Sequence, residues 1–382
     1  MRWRWRLTGF AWVMFAAVAV PGSNTGKLPA FEPDPSFPRL PNNWVLGNVA
    51  GVVVDRHDNV WVIHRPRTVP AAKTPAPPVL EFDAAGKFLQ AWGGDGPGFD
   101  WPDAEHTIFV DHKDNVWIGG SSPGGQSKTT RSDDMLLKFT NTGRLLLQVG
   151  GRSVSLGSKD ARSVNKPGDL FVSAKTNEVY VADGYGNRRV IVLDADTGAF
   201  KRMWGAFGKP PEDEPDSGGR GASGGPLGAR AAVPAILDTE GPGAPNFASP
   251  VHGIVVSNDN IVYVADRSNR RVQMFTPDGR YLRQIFVNRA GPEGSVSGFA
   301  FSPDKDQQFL YMADYGNSHI VVADRKQLEI LYQFGNRGTA PGDFQGLHHI
   351  AVDSKGNLYT AEVAPGARVQ RFVLKGLSSG LH

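Results

Sequence analysis

Nine histidines occur in this 382-residue chain, and three of them, His106, His252 and His348, share one register of a repeated motif. Six segments each read as a hydrophobic run, a polar turn and a second β-rich run: GVVVDRHDNVWVIHR, TIFVDHKDNVWIGG, DLFVSAKTNEVYVADG, GIVVSNDNIVYVADR, GFAFSPDKDQQFLYMAD and HIAVDSKGNLYTAE. Five residues before the Asp or Ser that ends each first run stand Ala50, His106, Gly168, His252, Ser297 and His348. Histidine thus occupies the even repeats and a small residue the odd ones. Arranged around an axis, three such imidazoles sit at about 120° to one another and make a His₃ site with an open coordination position, the form of catalytic zinc. Iron or copper suits the same donors. The competing reading is three partly buried histidines hydrogen-bonded around channel water.

The remaining histidines carry less. His57 and His112 fall in DRHDN and DHKDN turns, where a solvated loop residue is expected. His349 follows His348 and, by alternation along an extended strand, is expected to point away from the axis. His64 and His319 have no matching set, and His382 is terminal. After the second run of several repeats come Arg65, Tyr185, Arg267 and Tyr315. An arginine fork suits a substrate carboxylate, and a tyrosine beside a metal is a proton-transfer group. Asp183, Asp266 and Asp314 with their following Asn read as turn residues.

These residues need a closed ring of repeats to bring them together. The period of about 40 to 60 residues, with several short strands in each unit, indicates an all-β fold, a six-bladed β-propeller of four-stranded blades. Third strands read VLEF, MLLKF, RRVIVL, RRVQMF and HIVVAD, and fourth strands FLQAWG, LLLQVG, FKRMWG, YLRQIF and ILYQFG. The sixth repeat lacks a fourth strand, whereas WVLG at Trp44–Gly47 matches the fourth-strand pattern. That N-terminal strand is expected to complete the last blade and remove a sheet edge. The domain reading is a signal peptide or anchor at 1–26, a linker at 27–43, the propeller at 44–375 and a tail at 376–382. A Gly/Pro-rich insertion at 207–247 and a shorter one, RPRTVPAAKTPAPP, read as surface loops or substrate lids.

Composition narrows the classes. The formal net charge of +3 comes with no long Lys/Arg run, so neither a nucleic-acid stripe nor a polybasic membrane patch is indicated. Without cysteine, any metal is held by nitrogen and oxygen. The first residues, MRWRWRLTGFAWVMFAAVAVPGSNTG, combine arginines, a short apolar stretch and small residues, which points to export to the periplasm or outside the cell. No membrane association beyond an N-terminal anchor is indicated, and the sequence does not reveal an oligomeric state.

VYVADGYGNRRVIVL and VYVADRSNRRVQMF resemble the NHL repeat signature. More specifically, EHTIFVD, PVHGIVV and LHHIAVD, with IHRPR, ADGYGNRR and ADRSNRRVQMF, resemble the peptidyl-α-hydroxyglycine α-amidating lyase family, a six-bladed propeller with a catalytic zinc on three histidines. The resemblance spans about residues 44 to 375. It implies zinc ligands at His106, His252 and His348, a substrate arginine at Arg65, a catalytic tyrosine at Tyr185 and a further site arginine at Arg267. It also implies a small-molecule or peptide substrate bearing a carboxylate. The family's disulfides have no counterpart in a chain without cysteine, and its calcium-binding Asp is replaced by His349, which argues against a structural Ca2+. Two other readings remain at this point: a non-catalytic periplasmic propeller that binds a protein or peptide, and a metal-dependent hydrolase of the lactonase type.

Overall fold

The computed structural model describes residues 27–123, 127–213, 240–291 and 294–378. Among them are six four-stranded antiparallel sheets. The first, second, third and fourth strands of blade 1 are Asn48–Val54, Val60–Arg65, Val79–Phe82 and Phe88–Trp92. Blades 2 to 5 begin at Glu105, Asp169, Val251 and Val296 and repeat the order. Each first strand packs on the first strands of both neighbouring blades, blade 6 on blade 1 included, so these six strands ring a central channel.

The residue that ends the first run sets the hairpin. Asp55 Oδ1 accepts the backbone N–H groups of His57 and Asn59, and Asp111 and Asp353 do the same for Lys113 and Asn115 and for Lys355 and Asn357. The same carboxylates take the Trp61 and Trp117 indole N–H groups and the Tyr359 hydroxyl at 3.0 Å. The turn residues Asp58, Asp114, Asn260 and Gly356 share a positive φ, which Asn, Asp and Gly tolerate best. A side-chain anchor thus fixes the register from which the histidines are counted.

Blade 6 corrects the expectation for closure. Its strands are Leu347–Val352, Leu358–Glu362, Arg368–Ser378 and, outermost, Leu28–Asp34, which lies within the segment read as a linker. Trp44–Val45 instead pairs in parallel with Thr74–Pro75 in the shorter insertion. Chain length explains the difference. Only Leu46 and Gly47 separate Val45 from the first strand of blade 1, a reach of roughly 10 Å, whereas three strand spacings across a blade are roughly 14 Å. The residues between Asp34 and Asn48 cover that distance. The N-terminal segment 1–26, the tail end 379–382 and residues 214–239 of the long insertion lie outside the described residues. At that insertion's far end, Phe247 is buried in the core between blades 3 and 4.

Phe31 of the closing strand stacks on Phe334 and meets Tyr311 edge-on, and Pro29 carbonyl oxygen accepts the Tyr332 hydroxyl. Removing residues 28–34 should therefore lower the melting temperature followed by circular dichroism by more than about 5 °C. An unchanged melting curve would contradict the assignment of this strand as the closure.

Candidate metal centre

Alternation alone would not aim three equivalent histidines at one point. In blades 1, 2, 4, 5 and 6 the pairing of the first two strands slips at this register, between Val49 and Gly51, Glu105 and Thr107, Val251 and Ile254, Val296 and Gly298, and Leu347 and His349. Such bulges leave a residue unpaired and turn its side chain. His106, His252 and His348 are buried and converge, with ring centroids 4.6 to 5.1 Å apart.

Each imidazole is held from behind by the next blade. His106 Nδ1 lies 2.9 Å from the Gly168 carbonyl oxygen, His252 Nδ1 2.6 Å from that of Ser297 and His348 Nδ1 2.6 Å from that of Ala50. The small residues of the odd repeats are thus the hydrogen-bond acceptors of the histidines in the even ones. A carbonyl oxygen only accepts, so every Nδ1 carries a proton, and each neutral ring presents Nε2 as a bare lone pair. Desolvation by burial is the main cause that holds all three well below the ordinary value of 6.5, with the charge of Arg267 acting on each and that of Arg65 on His106 and His348.

Tyr185 completes the cluster. Its Oη is 3.1 Å from His106 Nε2 and 3.0 Å from His252 Nε2, while His252 Nε2 and His348 Nε2 are 3.1 Å apart. Four atoms meet with one phenolic proton among them, which leaves lone pairs facing each other. A cation at this point satisfies them all, and buried nitrogen donors oriented by backbone carbonyls are a metal's usual surroundings. His106, His252 and His348 are the group of His, Asp and Glu side chains among the described residues whose ligand atoms lie close enough to hold an ion.

Two glycines permit the approach. A Cβ on Gly168 would stand 2.7 Å from the His252 carbonyl oxygen, and one on Gly184 2.1 Å from that of Val251. Blade 3 therefore touches the backbone that carries His252, and Tyr185 reaches over it.

The end of the second strand of blade 1 and the turn after that of blade 4 bring Arg65 and Arg267 to the same end. Arg65 is buried, with Nε donating to the Glu105 carbonyl oxygen at 2.8 Å and Nη2 to Ser121 Oγ at 3.3 Å. Glu105 itself takes Arg67 at 2.8 Å and Trp101 Nε1 at 3.0 Å. The Arg267 guanidinium carbon lies 5.9 Å from the Tyr185 ring centre and 4.9 Å from that of Tyr315. Glu105 and Ser121 were not singled out from sequence, and Tyr315 was noted at its register without a role, although each stands beside a residue that was given one. Asp183 and Asp266 are turn anchors, binding Arg189 at 2.8 Å and Arg271 at 2.7 Å in fully buried pairs.

His349 departs from its expected direction. The bulge at His348 cancels the alternation, and His349 Nε2 reaches across the axis to within 3.3 Å of Asp169 Oδ2. Burial alone would depress its pKa; the Asp169 carboxylate and the Val52 carbonyl outweigh burial and hold it above the ordinary value. Asp169 also accepts Thr107 Oγ1 at 2.9 Å and the Ile254 N–H at 3.2 Å. This pair borders a cavity of about 430 Å³ at the other end of the channel, lined by Phe109, Phe171 and Phe301 among others. His64 is a satisfied core residue: Nδ1 accepts the Gly47 N–H, and Nε2 is 3.0 Å from the Pro77 carbonyl oxygen.

A six-bladed propeller with a buried three-histidine cluster at one end of its channel is the class that fold and site define. No family model matches the chain. Its homologues are NHL repeat-containing proteins and amidating lyases. NHL repeat-containing protein 3 of Homo sapiens is 26% identical over 305 residues, 78% of this chain and 73% of its own length. Peptidyl-alpha-hydroxyglycine alpha-amidating lyase 1 of Drosophila melanogaster is 24% identical, covering 88% of this chain and 59% of its own length. A probable lyase of the same kind from Caenorhabditis elegans is 23% identical, covering 68% and 61%. A solved streptogramin B lyase structure shares the fold at 12% identity and a TM-score of 0.53, with 91% of this chain and 98% of that one covered.

The convergence of three neutral imidazoles predicts that His252→Ala loses tightly bound metal in elemental analysis after desalting, while circular dichroism stays that of the folded propeller. Equal metal content in both proteins would place the ion elsewhere.

Proposed function

We propose that this protein is an exported, zinc-dependent carbon–nitrogen lyase that cleaves an N-acyl-α-hydroxyglycine to an amide and glyoxylate. The observation that carries the reading is the Tyr185 hydroxyl within 3.1 Å of two of the three imidazoles, with the charges of Arg65 and Arg267 close enough to act on His106. Low-identity relationship to amidating lyases supports it. Zinc fits the donor set: ligands about 2.0 to 2.1 Å from a tetrahedral ion are about 3.3 Å apart, close to the spacing of His252 and His348 Nε2. When bound, the ion supplies Lewis acidity toward a substrate oxygen and leaves a position open for it.

The reaction needs no water. The hydroxyl proton leaves oxygen, the carbon–oxygen bond becomes a carbonyl, the carbon–nitrogen electron pair passes to nitrogen, and nitrogen gains a proton. The chain must therefore hold the substrate and move one proton from oxygen to nitrogen. Tyr185 Oη is the group placed to carry that proton. Arg65, its plane set by Glu105 and Ser121, holds the carboxylate, since a planar guanidinium matches a carboxylate edge. Arg267 adds a second positive charge where negative charge builds up on the substrate.

α-Hydroxyhippurate given to the metal-loaded protein should yield equimolar benzamide and glyoxylate. Tyr185→Phe should lower kcat by a hundredfold or more at unchanged metal content, roughly the size of a general acid–base contribution. Arg65→Ala should act mainly on KM. No glyoxylate from the fully loaded wild type would reject the lyase reading and favour a propeller that binds peptides without cleaving them.

A further inference from the structure

Arg267 differs from Arg189 and Arg271, the fully buried arginines of blades 3 and 4, in what holds it. Arg189 and Arg271 are neutralised by Asp183 and Asp266. Arg267 lies instead between two aromatic rings, Tyr185 and Tyr315, and no carboxylate among the described residues forms an ion pair with it. An aromatic face attracts a guanidinium without cancelling its charge. The head is thereby oriented while its charge stays available to an anion.

Tyr315 is fixed for this task. Ser295 links the two loops through its backbone, donating its N–H to the Arg267 carbonyl oxygen at 3.1 Å and accepting the Tyr315 N–H at 3.0 Å. The preceding Asp314 is bonded by Asn317 at 3.0 Å. The Tyr315 ring also meets His348 edge-on, with centroids 6.4 Å apart. It therefore touches both the metal cluster and the arginine beside it.

We propose that Tyr315 is a positioning residue that sets the pocket's preference for carboxylate ligands by holding Arg267 over Tyr185. This role rests on the proposed lyase reading for the identity of the ligand. Without the second ring, the guanidinium turns toward solvent and the pocket loses one of its two fixed positive charges.

The test uses hippurate and its neutral amide, hippuramide, which lack the hydroxyl and are not cleaved. Each is titrated calorimetrically into metal-loaded protein, with metal content and circular dichroism checked for every variant. The wild type should prefer hippurate. Tyr315→Leu should weaken hippurate roughly tenfold, the scale of a desolvated cation–π contact, and leave hippuramide within about twofold. Tyr315→Phe, which keeps the ring, should retain the wild-type preference. Equal weakening of both ligands, unchanged selectivity in Tyr315→Leu, or a wild type with no preference would overturn the proposal. Glyoxylate release plays no part in this titration, so a selective but inactive wild type would reject the lyase reaction and leave the role of Tyr315 standing.

Discussion

Three hydrogen bonds from imidazole Nδ1 to the backbone of the neighbouring blade decide what this channel does. They fix the proton of each neutral ring of His106, His252 and His348 on Nδ1 and leave three lone pairs aimed at one point. Everything else follows from that constraint. The acceptors are the main-chain carbonyls of Ala50, Gly168 and Ser297, and at Gly168 the close approach of the His252 backbone leaves no room for a side chain. Since the acceptors belong to a different blade each time, the site forms only when the ring is complete. The closing strand Leu28–Asp34 therefore supports the site from the far rim of blade 6.

The positions of the three histidines were legible because the hairpin anchors Asp55, Asp111 and Asp353 repeat with the same turn chemistry, and a fixed count from them finds the axis. The lyase resemblance pointed to Arg65, Tyr185 and Arg267, and the structure gathers all three at the end of the channel that holds the histidines. Other features could not be read. A bulge has no residue signature in these strands, so His349 was expected to face away and instead spans the channel to Asp169. The role of Gly168 as an acceptor belongs to its carbonyl, which every residue has. Trp44–Gly47 copied the pattern of a fourth strand, and only the distance from blade rim to axis rules it out.

The channel is electrostatically divided. At the histidine end, Arg65 and Arg267 carry positive charge beside three neutral imidazoles whose lone pairs face inward. One layer further, the His349 and Asp169 pair lies across the axis and is tied to blades 2 and 4 through Thr107 and Ile254. An opposite charge meeting a raised imidazole is stable there without an ion. The two ends of the channel thus present different chemistry from one set of first strands.

The central claim is that three imidazoles bind one ion through Nε2. X-ray absorption at the K edge of the metal carried by the purified protein tests it most directly. The account predicts three nitrogen neighbours at about 2.0 to 2.1 Å with the multiple-scattering pattern of imidazole rings, plus one oxygen ligand in the open position. A shell made mainly of oxygen, or one containing fewer than three imidazoles, would contradict it.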